Sequence, residues 1–167
     1  MEGGHRSGGT RRRTRIEAKE ETMEVSSKAS VDWYSGLTTG QGKATLASGN
    51  GEFEVDWKAR SEGRANATTP EELLAAAHAS CYSMALSFAL EQNGTPPHWV
   101  KVEAEVKFEA GVGVKSSMLT VHAKVSGIDQ LEFSRFAEDA KDNCPVSKAL
   151  AGVDISLESA TLEESII

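Results

Sequence analysis

The chain has 167 residues, 18 of them basic and 25 acidic, and a formal net charge of −7. That length suits one domain or a domain with a tail, and a composition 39% hydrophobic and 26% charged is that of a soluble globular protein. The acidic balance argues against a nucleic-acid binder, and two cysteines, Cys81 and Cys144, are too few for a disulfide-stapled secreted scaffold.

Residues 1–30 carry seven basic and five acidic side chains, so the acidity belongs to the remainder. Gly3, Gly4, Gly8 and Gly9 with Arg11, Arg12, Arg13 and Arg15 show no apolar period, and the segment reads as a disordered basic tail. It has no apolar core of a secretory signal. The expectation is a dispensable leader, with Met23 as an alternative start, followed by one domain over residues 31–167.

Residues 43–48 and 52–59 flank Gly49–Asn50–Gly51, a hairpin signal. In the second arm Phe53, Val55, Trp57 and Ala59 alternate with charged residues, predicting one buried and one wet face. After a polar linker over 61–69, Thr69–Pro70–Glu71–Glu72 has the residues of a helix start, and Asn93–Gly94 and Pro96–Pro97 end the helix near Gln92. Its eighteen residues from Leu73 to Leu90 carry no charge, which reaches the lower limit of a membrane span. Six are Ala and three are Ser, with His78 among them, so lipid would gain little and a central helix buried on most sides is the better reading. Ala76, Ser80, Ser83 and Ser87 make a small-residue stripe that admits close approach of another helix.

A second hairpin follows. Val100 to Phe108 and Leu119 to Val125 alternate on either side of Gly111–Val112–Gly113. Phe133, Phe136, Ala137, Ala140 and Cys144 share one face of a helix starting near Asp129, and Pro145 breaks it. A short helical turn to about Leu150 and a last strand with Val153, Ile155 and Leu157 complete the chain. The order predicts an α+β fold with antiparallel sheet. So small a domain has limited means to cover an all-round apolar helix, which predicts a homodimer.

The two thiols lie on separate helical elements, both on apolar faces, 63 residues apart. Each alone reads as a small core residue. Together they can meet, and a disulfide closing that loop would act on the unfolded chain by ~4 kcal/mol. An acidic chain without a signal suggests a reducing cytoplasm, where such a bond is more often catalytic than structural. Cys144 precedes Pro145 and can cap the turn that Pro145 opens, where backbone N–H groups favour a thiolate. Cys81 is harder to activate: an ordinary thiol is only ~3% thiolate at pH 7, and the helix start is ~16 Å away. A side-chain cation must supply the field. Arg60 and Arg64 are the candidates, and Glu71 is the nearest anion to orient Arg60. Since ~15 Å of axis separates Glu71 from Cys81, either Arg60 spans the gap or the site is assembled across two chains.

The run Thr69–Pro70–Glu71–Glu72–Leu73–Leu74–Ala75–Ala76–Ala77–His78–Ala79–Ser80–Cys81 after Arg60, with Asn143–Cys144–Pro145–Val146–Ser147–Lys148–Ala149–Leu150, resembles the OsmC/Ohr family of osmotically inducible protein C and organic hydroperoxide reductases. The resemblance covers roughly residues 31–159. It implies an intertwined homodimer in which antiparallel sheets wrap long central helices, with active sites at the interface. It also implies a cysteine peroxidase without haem, flavin or metal, and so without a cofactor, acting on organic hydroperoxides and regenerated by a lipoyl-type or other dithiol. By motif position the attacking thiol is Cys81, the resolving thiol Cys144, and the activating pair Arg60 and Glu71. No nucleic-acid or membrane partner is implied. The placing of the Arg after the first hairpin, and Cys-Pro-Val-Ser, resemble the OsmC branch. Thr69 stands where the family usually has Asn, the 61–69 linker is about one residue longer than the family's, and the tail has no counterpart. Two rival readings use the same residues: a redox sensor or disulfide-exchange protein, and a ligand carrier with inert cysteines. His78, three residues before Cys81, is a structural histidine or a base; a zinc site has no ligand spacing to support it.

Overall fold

The computed structural model describes residues 24–63 and 65–163; of the tail expected over 1–30, residues 1–23, with Met23, lie outside them. Among the described residues, two three-stranded sheets and four helices make the predicted α+β fold. Strand β1 (Ala29–Tyr34) begins two residues ahead of the expected domain boundary and pairs antiparallel with β2 (Gln41–Leu46), which pairs with β3 (Glu52–Asp56). Gly49, at φ 77°, provides the left-handed residue that the β2–β3 turn needs.

The second arm of this hairpin is shorter than its alternation suggests. At Asp56 the chain turns into helix α1 (Trp57–Glu62). The Asp56 carboxylate accepts from Ala59 N–H at 2.6 Å, and Gly63, at φ 72°, closes the helix through its N–H to Ala59 O. Trp57 and Ala59 are therefore helical, because a capping Asp and a left-handed Gly seven residues apart outweigh the period of two.

Helix α2 (Pro70–Gln92) has the predicted bounds, and the Thr69 hydroxyl caps Glu72 N–H at 3.0 Å. The Glu72 carboxylate accepts from the Thr68 hydroxyl and so leaves the reciprocal half of the capping box unmade. Strands β4 (Pro97–Glu109) and β5 (Gly113–Val125) form the long hairpin. Helix α3 (Gln130–Asn143), capped by Asp129, and the short helix α4 (Pro145–Ala149) lead to β6 (Asp154–Leu162). β6 runs parallel to β5, so the second sheet is mixed rather than purely antiparallel. The reason is the connection: a helical crossover carries the chain back along the sheet, and the next strand enters in β5's direction.

The core lies between this sheet and the helices α2 and α3. Tyr82, Leu86 and Leu90 from α2, Leu119, Val121 and Ala123 from β5, and Phe133 and Ala137 from α3 are fully buried there. Each large apolar side chain so placed contributes about 1.5–3 kcal/mol. Within one chain α2 is not buried on most sides. Only Glu71, His78, Tyr82, Leu86 and Leu90 are buried, while Ala76, Ala77 and Ser80 are exposed and Met84 and Phe88 are 71% and 63% exposed. A single sheet covers one face of a helix, and the opposite face has no cover among the described residues. α2 is also the one described helix long and apolar enough to cross a membrane, though its packing is that of a core helix.

Candidate active site

The four expected residues form two pairs. The first is built where α1 meets the start of α2. Arg60 projects from α1, and its Nε and Nη2 donate to Glu71 Oε1 at 3.0 and 2.7 Å, with Nε also 3.2 Å from Oε2. Glu71 is buried at the first turn of α2, so its side chain can do little but receive this fork. Phe108, near the end of β4, stacks its ring 3.9 Å from the Arg60 guanidinium carbon, and Trp57 packs edge-on against that ring. The guanidinium is thus held in plane by a carboxylate and on its face by an aromatic ring. It opens on an apolar cavity of about 320 Å³ lined by Val31, Trp33, Leu37, Trp57 and Leu73.

The second pair joins mid-α2 to the break between α3 and α4. Cys81 is half-buried and packs against the core cluster that holds the fully buried Cys144; both are free thiols. Burial pushes the Cys81 thiol up; the Val146 backbone N–H pulls it down, and the neighbouring Cys144 pushes it up again. Burial also raises Cys144, but the Ser147 backbone N–H, the Cys81 thiol, the Ser147 hydroxyl and the Val146 N–H together bring it below the ordinary thiol range. Cys144 stands at the expected position, the first residue outside α4, but its side chain makes no capping hydrogen bond there. Cys81 opens on another apolar cavity, of about 670 Å³, lined by Met84, Ala85, Phe88, Ala89 and Pro145.

The structure does not bring the two pairs together within one chain. Ten residues of continuous α2, about 15 Å of axis, lie between Glu71 and Cys81. Among the described residues no charged side chain contributes to the state of the Cys81 thiol. Arg64, the other candidate cation, lies outside the described residues. Each pair sits beside its own apolar opening on a face that the described residues leave uncovered.

Met84, three residues beyond Cys81 on α2, lines the cavity. Tyr82 instead points into the core, its hydroxyl donating to Ala137 O at 2.9 Å, and Phe136 packs against the core cluster. His78 is fully buried, with Nδ1 2.7 Å from Ser117 Oγ and Nε2 2.9 Å from Ser147 Oγ. Burial pushes its pKa down. Sequence reasoning missed Phe108 as the stacking partner of Arg60, and Ser117 and Ser147 as partners of His78. Ser117 had a signal, as the one hydroxyl on an inward face that continues as Leu119, Val121, Ala123 and Val125.

The family model described as OsmC-like protein matches residues 62–158. The chain is 35% identical over 132 residues to peroxiredoxin OsmC of Escherichia coli, an alignment spanning 77% of this chain and 92% of that protein. It is 36% identical over 102 residues to organic hydroperoxide resistance protein OhrA of Bacillus subtilis, spanning 56% and 68%. Among solved structures, an organic hydroperoxide resistance protein OsmC from Legionella pneumophila superposes with a TM-score of 0.64 at 24% identity, over 86% of this chain and all of that one. OhrB of Bacillus subtilis does so with a TM-score of 0.58 at 26% identity, over 81% and 98%. With the family model and these relatives in agreement, the chain belongs to the OsmC/Ohr family.

Proposed function

We propose that the protein is a thiol-dependent peroxidase that reduces organic hydroperoxides, and hydrogen peroxide less well, in defence against peroxide stress. The observation that carries this reading is the meeting of the two thiols beside an apolar cavity, in a chain whose relatives bear the names peroxiredoxin OsmC and organic hydroperoxide resistance protein.

The Cys81 thiolate attacks the terminal peroxide oxygen. An S–O bond forms, the O–O bond breaks, and the alkoxide leaves and takes up a proton as the alcohol. Cys144 then attacks the sulfenic sulfur: the disulfide forms, the S–O bond breaks, and hydroxide leaves as water. An external dithiol, lipoyl-type or another, reduces the disulfide by exchange. The apolar walls at Met84, Ala85 and Phe88 favour an alkyl group over bare hydrogen peroxide.

Cys81 needs a cation that the described residues of its own chain do not bring to it. We assign that role to Arg60 of a second copy, oriented by Glu71 of that copy. A homodimer that packs the uncovered faces of two α2 helices together buries Met84 and Phe88 and lets the two cavities merge. The guanidinium then stabilises the Cys81 thiolate and the departing alkoxide.

The test is dithiol-dependent turnover of cumene hydroperoxide by the wild type and by Cys81→Ser and Cys144→Ser. Loss of all turnover in Cys81→Ser supports the reading, and retained turnover in that variant rejects it. A single oxidation without repeated cycling favours a redox sensor. An intact mass unchanged after one equivalent of peroxide favours a carrier with inert cysteines.

A further inference from the structure

Helix α4 has five residues, too few to hold a helical shape alone, and of these Ser147 is the buried one. The Ser147 hydroxyl lies 2.9 Å from Nε2 of His78 on α2. His78 is fully buried, and its Nδ1 lies 2.7 Å from the hydroxyl of Ser117, also fully buried, on β5. One imidazole therefore ties α4 to both α2 and β5. It has a nitrogen on each edge, and a hydroxyl can donate or accept, so the three groups satisfy one another.

Cys144 stands directly before α4, and its carbonyl closes the first turn by accepting from Lys148 N–H at 3.0 Å. Cys144 is fully buried, whereas the half-buried Cys81 lines the cavity of about 670 Å³. Val146 of α4 packs against the core cluster that holds Cys144. Undocking α4 withdraws Val146 from that cluster and opens the junction where Cys144 sits.

We propose that His78 is the latch of α4: by holding Ser147 it keeps Cys144 covered, so that of the two thiols only Cys81 is met by small molecules from solvent.

Apolar burial alone is a weak hold on α4. Lys148 and Ala149 are exposed, and Val146 and Leu150 are half-buried. Apolar contact has no direction, whereas a hydrogen bond does, so the Ser147–His78 bond fixes α4 in one seat. An α4 that leaves gives its hydroxyl to water but strands His78 Nε2 in the core, and that cost returns the helix.

The chemical consequence rests on the proposed peroxidase reading. There the peroxide meets Cys81, and Cys144 bonds only to the sulfenic sulfur of Cys81. In reduction the first sulfur of the dithiol attacks Cys81, and Cys144 leaves as a thiolate and takes up a proton. The second sulfur of the dithiol then releases Cys81 as it closes its own disulfide. Neither small molecule bonds to Cys144. The covering of Cys144 itself does not depend on that reading.

The test uses the full-length chain carrying Cys81→Ser, in which Cys144 is the only cysteine left. Excess iodoacetamide is added, and alkylation of Cys144 is followed by intact mass. A covered thiol reacts through the fraction of time its helix is open, and once open it reacts as any exposed thiol, so the rate reads the opening equilibrium. Ser147→Ala should raise the rate about ten-fold, the factor for one lost buried hydrogen bond. His78→Leu should do the same. The two changes together should not multiply, because the double variant strands neither partner. Leu90→Ala is the control. Leu90 is buried at the far end of α2, about 18 Å of axis from His78, so this change weakens the whole fold away from α4. Its Cys144 rate should stay at the parent value. An unchanged rate in folded Ser147→Ala overturns the latch. So does a rate raised equally by Leu90→Ala, which would mean that Cys144 is uncovered only by global unfolding. If His78→Leu does not fold, Ser147→Ala and Leu90→Ala decide by themselves. Separately, Cys144→Ser protein given one equivalent of cumene hydroperoxide should form a dimedone-reactive Cys81. Its failure to do so would count against the peroxidase reading, while the alkylation rates still decide the latch.

Discussion

The Arg60–Glu71 fork makes a quantitative prediction. Three contacts of 3.0, 3.2 and 2.7 Å join the two side chains. Glu71's side chain is 8% exposed and Arg60's is 29% exposed. Removing one member of a fully buried pair costs about 3–5 kcal/mol. Arg60's residual contact with water and its stacking on Phe108 lower this, so Glu71→Gln and Arg60→Met should each cost about 2 kcal/mol. Because the two act on one interaction, the double variant should cost little more than either single one, with a coupling of about 1.5 kcal/mol. Urea unfolding measures the stabilities. The same four proteins, assayed for kcat/KM toward cumene hydroperoxide, should show the same pattern: a loss of about 30-fold or more in each single variant and no further multiplication in the double. Additive losses in both assays would mean that Glu71 does not work through Arg60, and the assignment of the fork would fall.

Asp56→Ala removes the cap of α1 and should cost about 1 kcal/mol, with a fall in activity because α1 carries Arg60; Asp56→Asn should retain most of both, as thermal unfolding and turnover will show. His78's folded pKa lies below its unfolded value of about 6.5 because of burial, so the unfolded state takes up the proton first. That contribution to stability is complete above pH ~6.5 and is lost as pH falls toward the folded value, so melting temperature should fall from pH 7 to pH 5, and His78→Gln should show a shallower fall. Met84→Glu places a charge on a face 71% exposed in one chain; if a second chain covers it, sedimentation should find monomer and activity should vanish together, whereas an unaltered dimer would contradict the packing of the α2 helices.

Much of this fold was legible because local signals were unopposed. Thr69–Pro70 and Asn93–Gly94 bound α2 where expected, and Gly49 and Gly111–Gly113 turn both hairpins. Two features were misread for physical reasons. Trp57 and Ala59 fit a strand period, but the Asp56 cap and Gly63 give the backbone a helical alternative that satisfies its N–H groups. The parallel entry of β6 depends on the crossover through α3 and α4, which no pattern within β6 encodes. The candidate site divides the same way. The residue types at Arg60, Glu71, Cys81 and Cys144 stand out in the sequence, and the structure joins them as two pairs. Phe108 reads in the sequence as one more inward strand residue, because what makes it special is the guanidinium that α1 lays on its ring. His78's role as a satisfied core histidine was visible only once Ser117 and Ser147 were seen beside it.

The account depends on an active centre completed between two chains, and mixing of variants tests this most directly. Cys81→Ser and Arg60→Ala proteins, each inactive alone, are co-expressed with different tags, and the mixed dimers are isolated and assayed for cumene hydroperoxide turnover. A site built from both chains leaves each mixed dimer one intact centre, so activity should return to about half that of the wild-type dimer. A site confined to one chain leaves every centre with a defect, and mixed dimers as inactive as their parents would contradict the account.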